Sequence, residues 1–479
     1  MATFSMGLDT LKVPMSMHKE NRERLLKRFK TAEVPESALM VFRGGDSKPI
    51  DDSDIEFVFK QESYFQYLFG VMEPDFYATL DMQGRATLFV PRLDEGLQVV
   101  LGKIQPPSYY KAKYEVDDCR FMDELPGVVA AADPEIIYVL SGVNSDSGIP
   151  HADVAFEGLN TYRVDRGKLV ADLAECRVSK SAAEIAVMRY VVGITADAHK
   201  AVMRAVRPGM MEYQLEATFL HHCYFHGGCR NVGYTPICAS GPNAATLHYG
   251  HAALPNDRQI QDGDMVLMDC GCEYDCYDGD LTTSFPANGK FTPDQRDVYE
   301  TVLAMQRGVE AQMKPGVRWS DMHRLAERIC LTELVRRGFL VGDVDEMLEH
   351  HLGAVFMPHG LGHLIGLDTH DVGGYPRGTK RIMLPGLRKL RTTRALIPGM
   401  IITCEPGCYF NEFTLGPAMA DPATAKFFVK EKMDRFMNFG GVRLEDDVLI
   451  TEDGHELLDD LPRTVEEVEA WMAGRDYHK

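Results

Sequence analysis

The sequence has little positive charge and no long apolar run. Its 51 Lys and Arg residues stand against 71 Asp and Glu residues, which gives a formal net charge of −20. A chain with this charge repels nucleic-acid phosphates unless it carries a basic stripe. No apolar run approaches the roughly 20 residues needed to span a bilayer, and the first residues contain no apolar stretch typical of a secretory leader. We therefore expect a cytosolic protein that binds neither nucleic acid nor membranes.

The sequence also lacks the usual motifs for binding nucleotides and for thiolate zinc sites. The sequence contains no G-x-x-x-x-G-K-[ST] phosphate loop, and its nearest dinucleotide fingerprint, at 360–366, has the wrong last spacing and encloses a histidine. Among the eleven cysteines, a cluster lies at 270–276, and only Cys404 and Cys408 are placed to complete a thiolate zinc site. Such sites use paired cysteines at two separated places. We therefore expect mainly reduced, buried thiols.

The first third of the chain alternates strand-like and helix-like segments. Runs rich in β-branched and aromatic residues predict strands at 38–42, 76–82, 85–91 and 135–140. The segments 19–29 and 94–104 are typical of helices. This pattern predicts an α/β domain over residues 1–170.

A second domain is expected over residues 171–479, because the pattern changes near residues 165–180. A long amphipathic helix begins there with a capping box from Ser181 to Glu184. Two kinds of segment then recur in the same order: a basic-Pro-Gly turn followed by a helix, and a turn followed by a strand and an acid. These pairs are 207–220 with 314–329, and 263–271 with 398–407. They suggest a duplicated, pseudo-two-fold α/β domain, with chance similarity as the alternative.

Four segments of this second domain place acids or histidines beside apolar, strand-like runs. Asp269 ends one run and Asp280 begins another eleven residues later, which predicts a β-hairpin that presents both carboxylates to one site. Glu405 follows a strand and precedes Pro-Gly. Glu445 stands inside an alternating strand, flanked by Arg443 and Asp446. For each acid taken alone, a solvated strand end is the alternative interpretation.

The remaining segment, MPHGLGHLIGLDTH, contributes His359, His363 and His370, with glycines that permit close backbone approach. Acids are seldom buried unless they are paired or bind a metal. Four carboxylates and one imidazole form a hard, oxygen-rich set that favours ions such as Mn²⁺ or Mg²⁺, and five ligands suit two ions about 4 Å apart. The histidines of a predicted helix (His221, His222 and His226) are interpreted as structural or solvent-exposed.

These segments resemble the pita-bread metallopeptidases, which include methionine aminopeptidases, aminopeptidases P and prolidases. Asp269, Asp280, His363, Glu405 and Glu445, in that order, match the metal ligands of the family. The resemblance is closest to the eukaryotic prolidases, or Xaa-Pro dipeptidases, and extends over nearly the whole chain. It rests on QESYFQYLFGV, LHYGHAALPNDR, SFPANGKFT, GLRKLRTTR, FGGVRLEDDV and PRTVEEVEA, together with the histidine segment.

The resemblance implies a creatinase-like α/β N-terminal domain, a pita-bread α+β catalytic domain and a homodimer. It implies two divalent ions, Mn²⁺ or alternatively Co²⁺ or Zn²⁺, on the five ligands, and attack by a metal-bridging hydroxide on an Xaa-Pro dipeptide. Glu405 matches the proton-shuttling carboxylate, and His370 matches the histidine that stabilises the oxyanion and contacts substrate. His248 and Arg391 match the residues that hold the C-terminal carboxylate of the substrate.

One observation from the residues themselves supports a carboxylate-binding role. The stretch 377–394 holds seven Lys and Arg residues and no acid, and an acidic protein needs a local cation to hold an anionic peptide end. Arginine does this with a bidentate fork. Two alternative functions stay open: an aminopeptidase P that acts on longer Xaa-Pro peptides, and a pita-bread binding protein without catalytic activity.

Overall fold

A computed structural model describes residues 2–144 and 147–477. The chain forms two compact units, one ending at Arg177 and one beginning at Val178. Within the described residues, no helix is both long and apolar enough to cross a bilayer. The two units are described separately below.

The first unit is built from these helices and short strands, in chain order: β1 (Thr3–Phe4), β2 (Val13–Pro14), α1 (Ser16–Phe29), β3 (Leu39–Arg43), α2 (Ser63–Phe69), β4 (Tyr77–Asp81), β5 (Ala86–Val90), α3 (Gln98–Leu101), α4 (Pro107–Lys113), β6 (Asp118–Phe121), α5 (Leu125–Ala132), β7 (Ile137–Val139), β8 (Val164–Asp165) and α6 (Lys168–Val178). The strands predicted near residues 40, 80, 88 and 137 are present. The helix predicted over 94–104 is reduced to the single turn α3, preceded by a 3₁₀ turn.

A six-stranded mixed sheet organises this unit, in the order β6-β5-β4-β3-β7-β8. The central strand β3 pairs antiparallel with β4 and parallel with β7. Leu39 and Val41 of β3 and Ile137 of β7 are fully or almost fully buried, in one cluster with Leu125 and Val129 of α5. The alternation of their side chains across the pleat places this apolar face against the helix, which confirms the α/β prediction.

The second unit contains the following elements: α7 (Ala182–Ala205), α8 (Glu212–Gly227), β9 (Asn231–Val232), β10 (Ile237–Ser240), β11 (Met265–Cys270), β12 (Cys272–Tyr274), β13 (Tyr277–Asp278), β14 (Leu281–Pro286), α9 (Pro293–Glu310), α10 (Trp319–Arg336), α11 (Val344–Glu349), α12 (Gly353–Phe356), β15 (Ile401–Cys404), β16 (Gly407–Tyr409), α13 (Glu412–Ala420), α14 (Lys430–Phe436), β17 (Gly441–Arg443), β18 (Asp446–Ile450), β19 (His455–Leu457) and α15 (Val465–Met472). The predicted capping box at Ser181 begins α7, where Ser181 and Glu184 exchange hydrogen bonds with each other's backbone.

The repeated segments of the sequence form equivalent elements. The two basic-Pro-Gly turns precede α8 and α10, and the two turn-strand-acid segments form β11 and β15. Each of these strands pairs antiparallel within a three-stranded sheet, in the orders β10-β11-β14 and β15-β18-β19. The four acids predicted as ligands lie on or beside these strands.

All eleven cysteines are buried and unbridged. Their burial agrees with the expectation of reduced thiols that pack as small apolar groups.

Candidate metal centre

The first strand pair, β11 and β14, carries the two aspartates. Their antiparallel register sets Asp269 opposite Thr282, and Asp280 directly precedes β14. The intervening residues form the short strands β12 and β13, which pair with each other. The predicted hairpin is therefore present, with a second hairpin inserted at its tip, and both aspartates lie at the same end of the strand pair.

The second strand pair, β15 and β18, carries the two glutamates. Glu405 follows the last residue of β15, as predicted. Glu445 does not stand inside a strand, contrary to the prediction, because it occupies the break between β17 and β18. Its backbone N–H donates to the carbonyl of Thr282 at 3.1 Å, and the Thr282 hydroxyl donates to Glu445 Oε2 at 2.6 Å. This bridge joins the two strand pairs and aims the carboxylate toward the aspartates.

The loop that carries His363 approaches β15 closely. A Cβ on Gly362 would lie 2.0 Å from the carbonyl oxygen of Thr403, so only glycine fits there. The backbone N–H of His363 donates to Thr403 Oγ1 at 3.0 Å, and Trp319 Nε1 donates to the Gly362 carbonyl at 3.1 Å. His363 Nδ1 lies 3.1 Å from the Leu364 carbonyl. This bond fixes a proton on Nδ1 and leaves Nε2 as a free electron-pair donor.

These side chains converge on one cavity of about 430 Å³. Ligand atoms of Asp280, His363 and Glu445 all lie within 4.8 Å of one another. His363 Nε2 is 3.4 Å from Asp280 Oδ2 and 3.5 Å from Glu405 Oε1. The polar side chains that line the cavity include Tyr234, His248, Asp269, Asp280, His359, His363, His370, Glu405, Arg443 and Glu445.

The cavity holds an excess of buried negative charge. Burial, reinforced by the charges of Asp280 and Asp269 against those of His363 and Arg443, raises the pKa of Glu405 to about 7. Burial and the neighbouring carboxylates raise the pKa of Glu445 well above its ordinary value. Burial also raises the pKa of Asp280. These carboxylates therefore resist ionisation until positive charge is supplied.

Two residues that sequence reasoning did not identify as functional bind the aspartates through an ion pair and hydrogen bonds. Arg443 forms an ion pair with Asp269 through Nη2 and donates from Nη1 to the Tyr409 hydroxyl at 2.8 Å. The Tyr234 hydroxyl lies 2.6 Å from Asp269 Oδ1 and 2.5 Å from Asp280 Oδ1. Since a hydroxyl carries one proton, Tyr234 donates to only one of these oxygens at a time.

The sequence contained a signal for one of these two residues. Arg443 lies in an apolar, strand-like segment, where a buried cation needs a counter-charge. Tyr234 follows the two-residue strand β9 and reaches carboxylates 35 and 46 positions further along the chain, so no local pattern identifies it. His359, named in the histidine segment but given no role, lies 3.6 Å from Glu405 Oε2 through Nδ1 and 2.8 Å from the Tyr409 hydroxyl through Nε2.

The residues expected to hold substrate lie near the same cavity. His248 and His370 line it, and the His370 ring stands nearly perpendicular to that of His363, with centroids 4.5 Å apart. Burial, together with His363, Arg391 and His248, lowers the pKa of His370 to about 2. Arg391 is only partly buried and is absent from the described lining of the cavity. Its positive charge nevertheless contributes to the lowered pKa values of both His370 and His248.

The donor set fits divalent ions. Among the described residues that line the cavity, four carboxylates stand against a single guanidinium, that of Arg443. Carboxylate oxygens and one neutral imidazole nitrogen are the ligands of hard or borderline divalent cations, and two such ions would supply the missing positive charge. The candidate site assembled from Asp269, Asp280, His363, Glu405 and Glu445 therefore has both the chemistry and the charge deficit of a metal centre.

Comparisons with known proteins agree with this site. The sequence profile of metallopeptidase family M24 matches residues 186–452, and that of the aminopeptidase P N-terminal domain matches residues 18–137. The chain is 52% identical to the Xaa-Pro dipeptidase of Mus musculus and 51% identical to that of Homo sapiens. Each alignment covers 476 residues, 99% of this chain and 97% of the relative.

A solved structure shares the fold over the same extent. The aminopeptidase PepP of Pseudomonas aeruginosa superposes with a TM-score of 0.78 at 31% sequence identity, covering 98% of this chain and 99% of that one. An N-terminal α/β unit followed in the chain by a pseudo-two-fold pita-bread unit is thus the domain content of aminopeptidase P-like proteins. On the evidence of its sequence, its fold and the donor set in its cavity, this chain belongs to metallopeptidase family M24.

Proposed function

We propose that this chain hydrolyses Xaa-Pro dipeptides and releases C-terminal proline, using two divalent metal ions. The convergence of Asp269, Asp280, His363, Glu405 and Glu445 on one buried cavity is the observation that carries the proposal. The 52% identity to a protein named Xaa-Pro dipeptidase over 99% of the chain supports the choice of substrate.

The five ligands would hold the two ions, with Mn²⁺ as the proposed metal. When bound, such ions polarise a carbonyl and make a coordinated water more acidic. The hydrogen bond of His363 Nδ1–H to the Leu364 carbonyl orients the ring so that Nε2 can coordinate an ion. Arg443 balances Asp269 and leaves the other carboxylates dependent on the ions for neutralisation.

Glu405 is the proposed proton carrier. Its carboxylate lies in the cavity within 3.5–3.6 Å of the His363 and His359 rings, where it can take a proton from the attacking water and return it. As the bond between the Xaa carbonyl carbon and the proline nitrogen breaks, the proton passes from Glu405 Oε to that nitrogen. The water oxygen stays on the Xaa carboxylate, so the products are an amino acid and proline.

His370 is proposed to stabilise the oxyanion. Its pKa of about 2 keeps the imidazole neutral, so it acts as a hydrogen-bond donor rather than as a cation. His248, whose pKa is also lowered by burial, and Arg391 are proposed to bind the C-terminal carboxylate of the dipeptide. A bidentate guanidinium behind the proline ring would restrict cleavage to dipeptides.

Hydrolysis of Gly-Pro by Mn²⁺-loaded protein tests the proposal. We expect release of proline from Gly-Pro, with much slower cleavage of Gly-Pro-Xaa and none of a Met-Xaa peptide. Metal-loaded protein that leaves Gly-Pro intact would contradict the dipeptidase assignment. Preferential cleavage of the tripeptide would indicate an aminopeptidase P instead, and binding without any cleavage would indicate a non-catalytic protein.

The selectivity for dipeptides is tested at Arg391. We expect Arg391→Ala to raise KM for Gly-Pro by about tenfold or more, because a charged hydrogen bond contributes roughly 1.5–3 kcal/mol, and to change tripeptide cleavage much less. Arg388→Ala is the matched control, since Arg388 lies in the same basic stretch but is exposed. Equal effects of the two substitutions would remove Arg391 from the substrate site.

We also propose residues 1–170 and 171–479 as the two domains, a homodimer as the assembly and the cytosol as the location. The strongly exposed side chains of Val99 and Val100, 93% and 80% accessible, support a protein contact, because exposed apolar clusters often mark one. Sedimentation velocity tests the dimer, and cell fractionation tests the location. Metal analysis of protein purified without added metal tests the assignment of Mn²⁺.

A further inference from the structure

The exposed side of α8 carries three histidines that play no part in the proposed peptidase chemistry. The helix packs on α7 through a buried stripe that includes Leu215, Phe219 and Cys223. His221 and His226 are exposed and His222 is partly buried. Phe225, in the same turn, is 73% accessible. The histidines therefore face solvent, on a surface outside the buried metal centre.

Two of these histidines are placed to share one ion. His222 and His226 are four residues apart, and residues at this spacing lie above one another on a helix face. Their ring centroids are 4.5 Å apart with the planes inclined at 44°, a separation that one ion bound to a nitrogen of each ring can bridge. His221, by contrast, has Phe225 as its neighbour one turn further on, and these two rings stack at 5.3 Å.

The surroundings of the pair favour a cation. His226 lies in the last turn of α8, where the unsatisfied carbonyl groups carry partial negative charge. Asp197 of α7 favours positive charge at His222, although its ion pair with Lys200 at 2.8 Å offsets part of that attraction. Partial burial and the neighbouring His226 lower the pKa of His222. This keeps the imidazole in the neutral form that binds metals.

We propose that His222 and His226 form a surface site for one borderline divalent ion of the Zn²⁺, Ni²⁺ and Cu²⁺ class. Imidazole nitrogen is a preferred ligand of these ions, whereas the carboxylate-rich centre suits harder ions such as Mn²⁺. Water would complete the coordination shell. This site is independent of the proposed peptidase activity, because no residue of it lines the catalytic cavity as described.

Binding of Cu²⁺ held by iminodiacetate, measured by calorimetry on the Mn²⁺-loaded protein, tests the proposal. The chelator occupies part of the coordination shell and keeps the ion from the buried centre, while positions remain for two imidazoles. We expect H222N and H226N each to weaken binding by about tenfold or more, since the second imidazole binds with the high effective concentration of an intramolecular ligand. H221N should bind like the unaltered chain.

A rescue variant separates chelation from simple loss of a surface histidine. Adding F225H to H226N places a new histidine four residues after His221, and we expect tight binding to return. Hydrolysis of Gly-Pro should be unchanged in all these variants. Binding that is insensitive to H226N, equally reduced by H221N, or not restored by F225H would overturn the proposed site.

Discussion

The two strand pairs of the second unit hold their carboxylates in different electrostatic settings. On the β11–β14 pair, Asp269 has a permanent counter-charge in Arg443. On the β15–β18 side, Glu445 accepts from the neutral hydroxyl of Thr282, and Glu405 lies 3.5–3.6 Å from the imidazoles of His363 and His359. Burial raises the pKa of both glutamates.

This difference indicates that the carboxylates of the metal centre depend on bound cations to different degrees. A guanidinium remains charged at any physiological pH, so the Asp269 side of the centre is ordered without metal. The raised pKa values of the glutamates link their ionisation to metal binding. Arg443 of β17 therefore sets Asp269 apart from the other three carboxylates, whose pKa values are all raised.

The largest expected effect is on catalysis, and it comes from Glu405, which within the described residues has no guanidinium partner comparable to that of Asp269. We expect Glu405→Gln to lower kcat/KM for Gly-Pro by about 10²–10⁴-fold, because it removes the proposed proton carrier. The measurement is proline release at saturating Mn²⁺, with metal content determined on the same sample. Glu412→Gln is the control, since Glu412 is exposed at the start of α13. Full activity in the Glu405 variant would exclude the proposed proton transfer.

The segments that supply the proposed ligands could be predicted from the sequence because local patterns mark them. Acids at the ends of apolar runs, such as Asp269 and Glu405, need a cation wherever they are buried, and the repeated turn-strand-acid pattern indicated equivalent strands. The break at Glu445 was missed because alternation of apolar and polar residues continues through it. The pairing that interrupts β17 and β18 comes from Thr282, which is distant in sequence.

Long-range partners could not be predicted in the same way. The contact of Tyr234 with two aspartates depends on how β9 and the following loop fold against β12 and β14, and periodicity carries no information about such contacts. The surface pair His222 and His226 illustrates the opposite case. Their spacing was visible in the sequence. The structure was needed to show that this face of α8 is exposed, which distinguishes the proposed metal-binding pair from histidines that pack in the core or cap a helix.

The second prediction compares the stability of the two halves without metal. In the presence of EDTA, we expect Asp269→Asn to lower the free energy of unfolding by about 3–5 kcal/mol, because it leaves the buried Arg443 uncompensated. Glu445→Gln should change it by less than about 1 kcal/mol, since the amide resembles the protonated acid favoured by the raised pKa and still accepts from Thr282. Urea denaturation measures both. If the two variants lose similar amounts of unfolding free energy, Asp269 and Glu445 do not differ in their counter-charge as proposed.

The third prediction concerns pH. The pKa of Glu405 is about 7 in the folded chain against an ordinary value of 4.5, so the folded state binds more protons than the unfolded state between these values. The metal-free protein should therefore lose stability as pH rises from about 4.5 to 7, by about 3 kcal/mol from this group. His363, whose pKa is raised by Asp280 and Glu405 against burial, acts in the same direction.

Comparison with the Glu405→Gln variant isolates this contribution, because other buried acids such as Glu310, with a pKa of about 8, remain in both proteins. The difference in unfolding free energy between the two should shrink as pH falls toward 4.5. Saturating Mn²⁺ should reverse the trend in the unaltered chain, since metal ions compete with protons for the carboxylates. A pH-independent difference would show that Glu405 is not the group titrating.

The smallest expected effect tests the hydroxyl that lies between the two aspartates. Tyr234→Phe should cost about 1.5 kcal/mol of stability in EDTA, because a hydrogen bond to a charged acceptor is lost. The cost should be smaller with metal bound, when ions hold the same carboxylates. Tyr299→Phe is the matched control, since its hydroxyl donates to the Arg463 carbonyl at 2.7 Å outside the described cavity lining, and its cost should be the same with and without metal. If the cost of Tyr234→Phe is equally insensitive to metal, Tyr234 stabilises the fold rather than the empty aspartate pair, and Arg443 alone distinguishes the two halves.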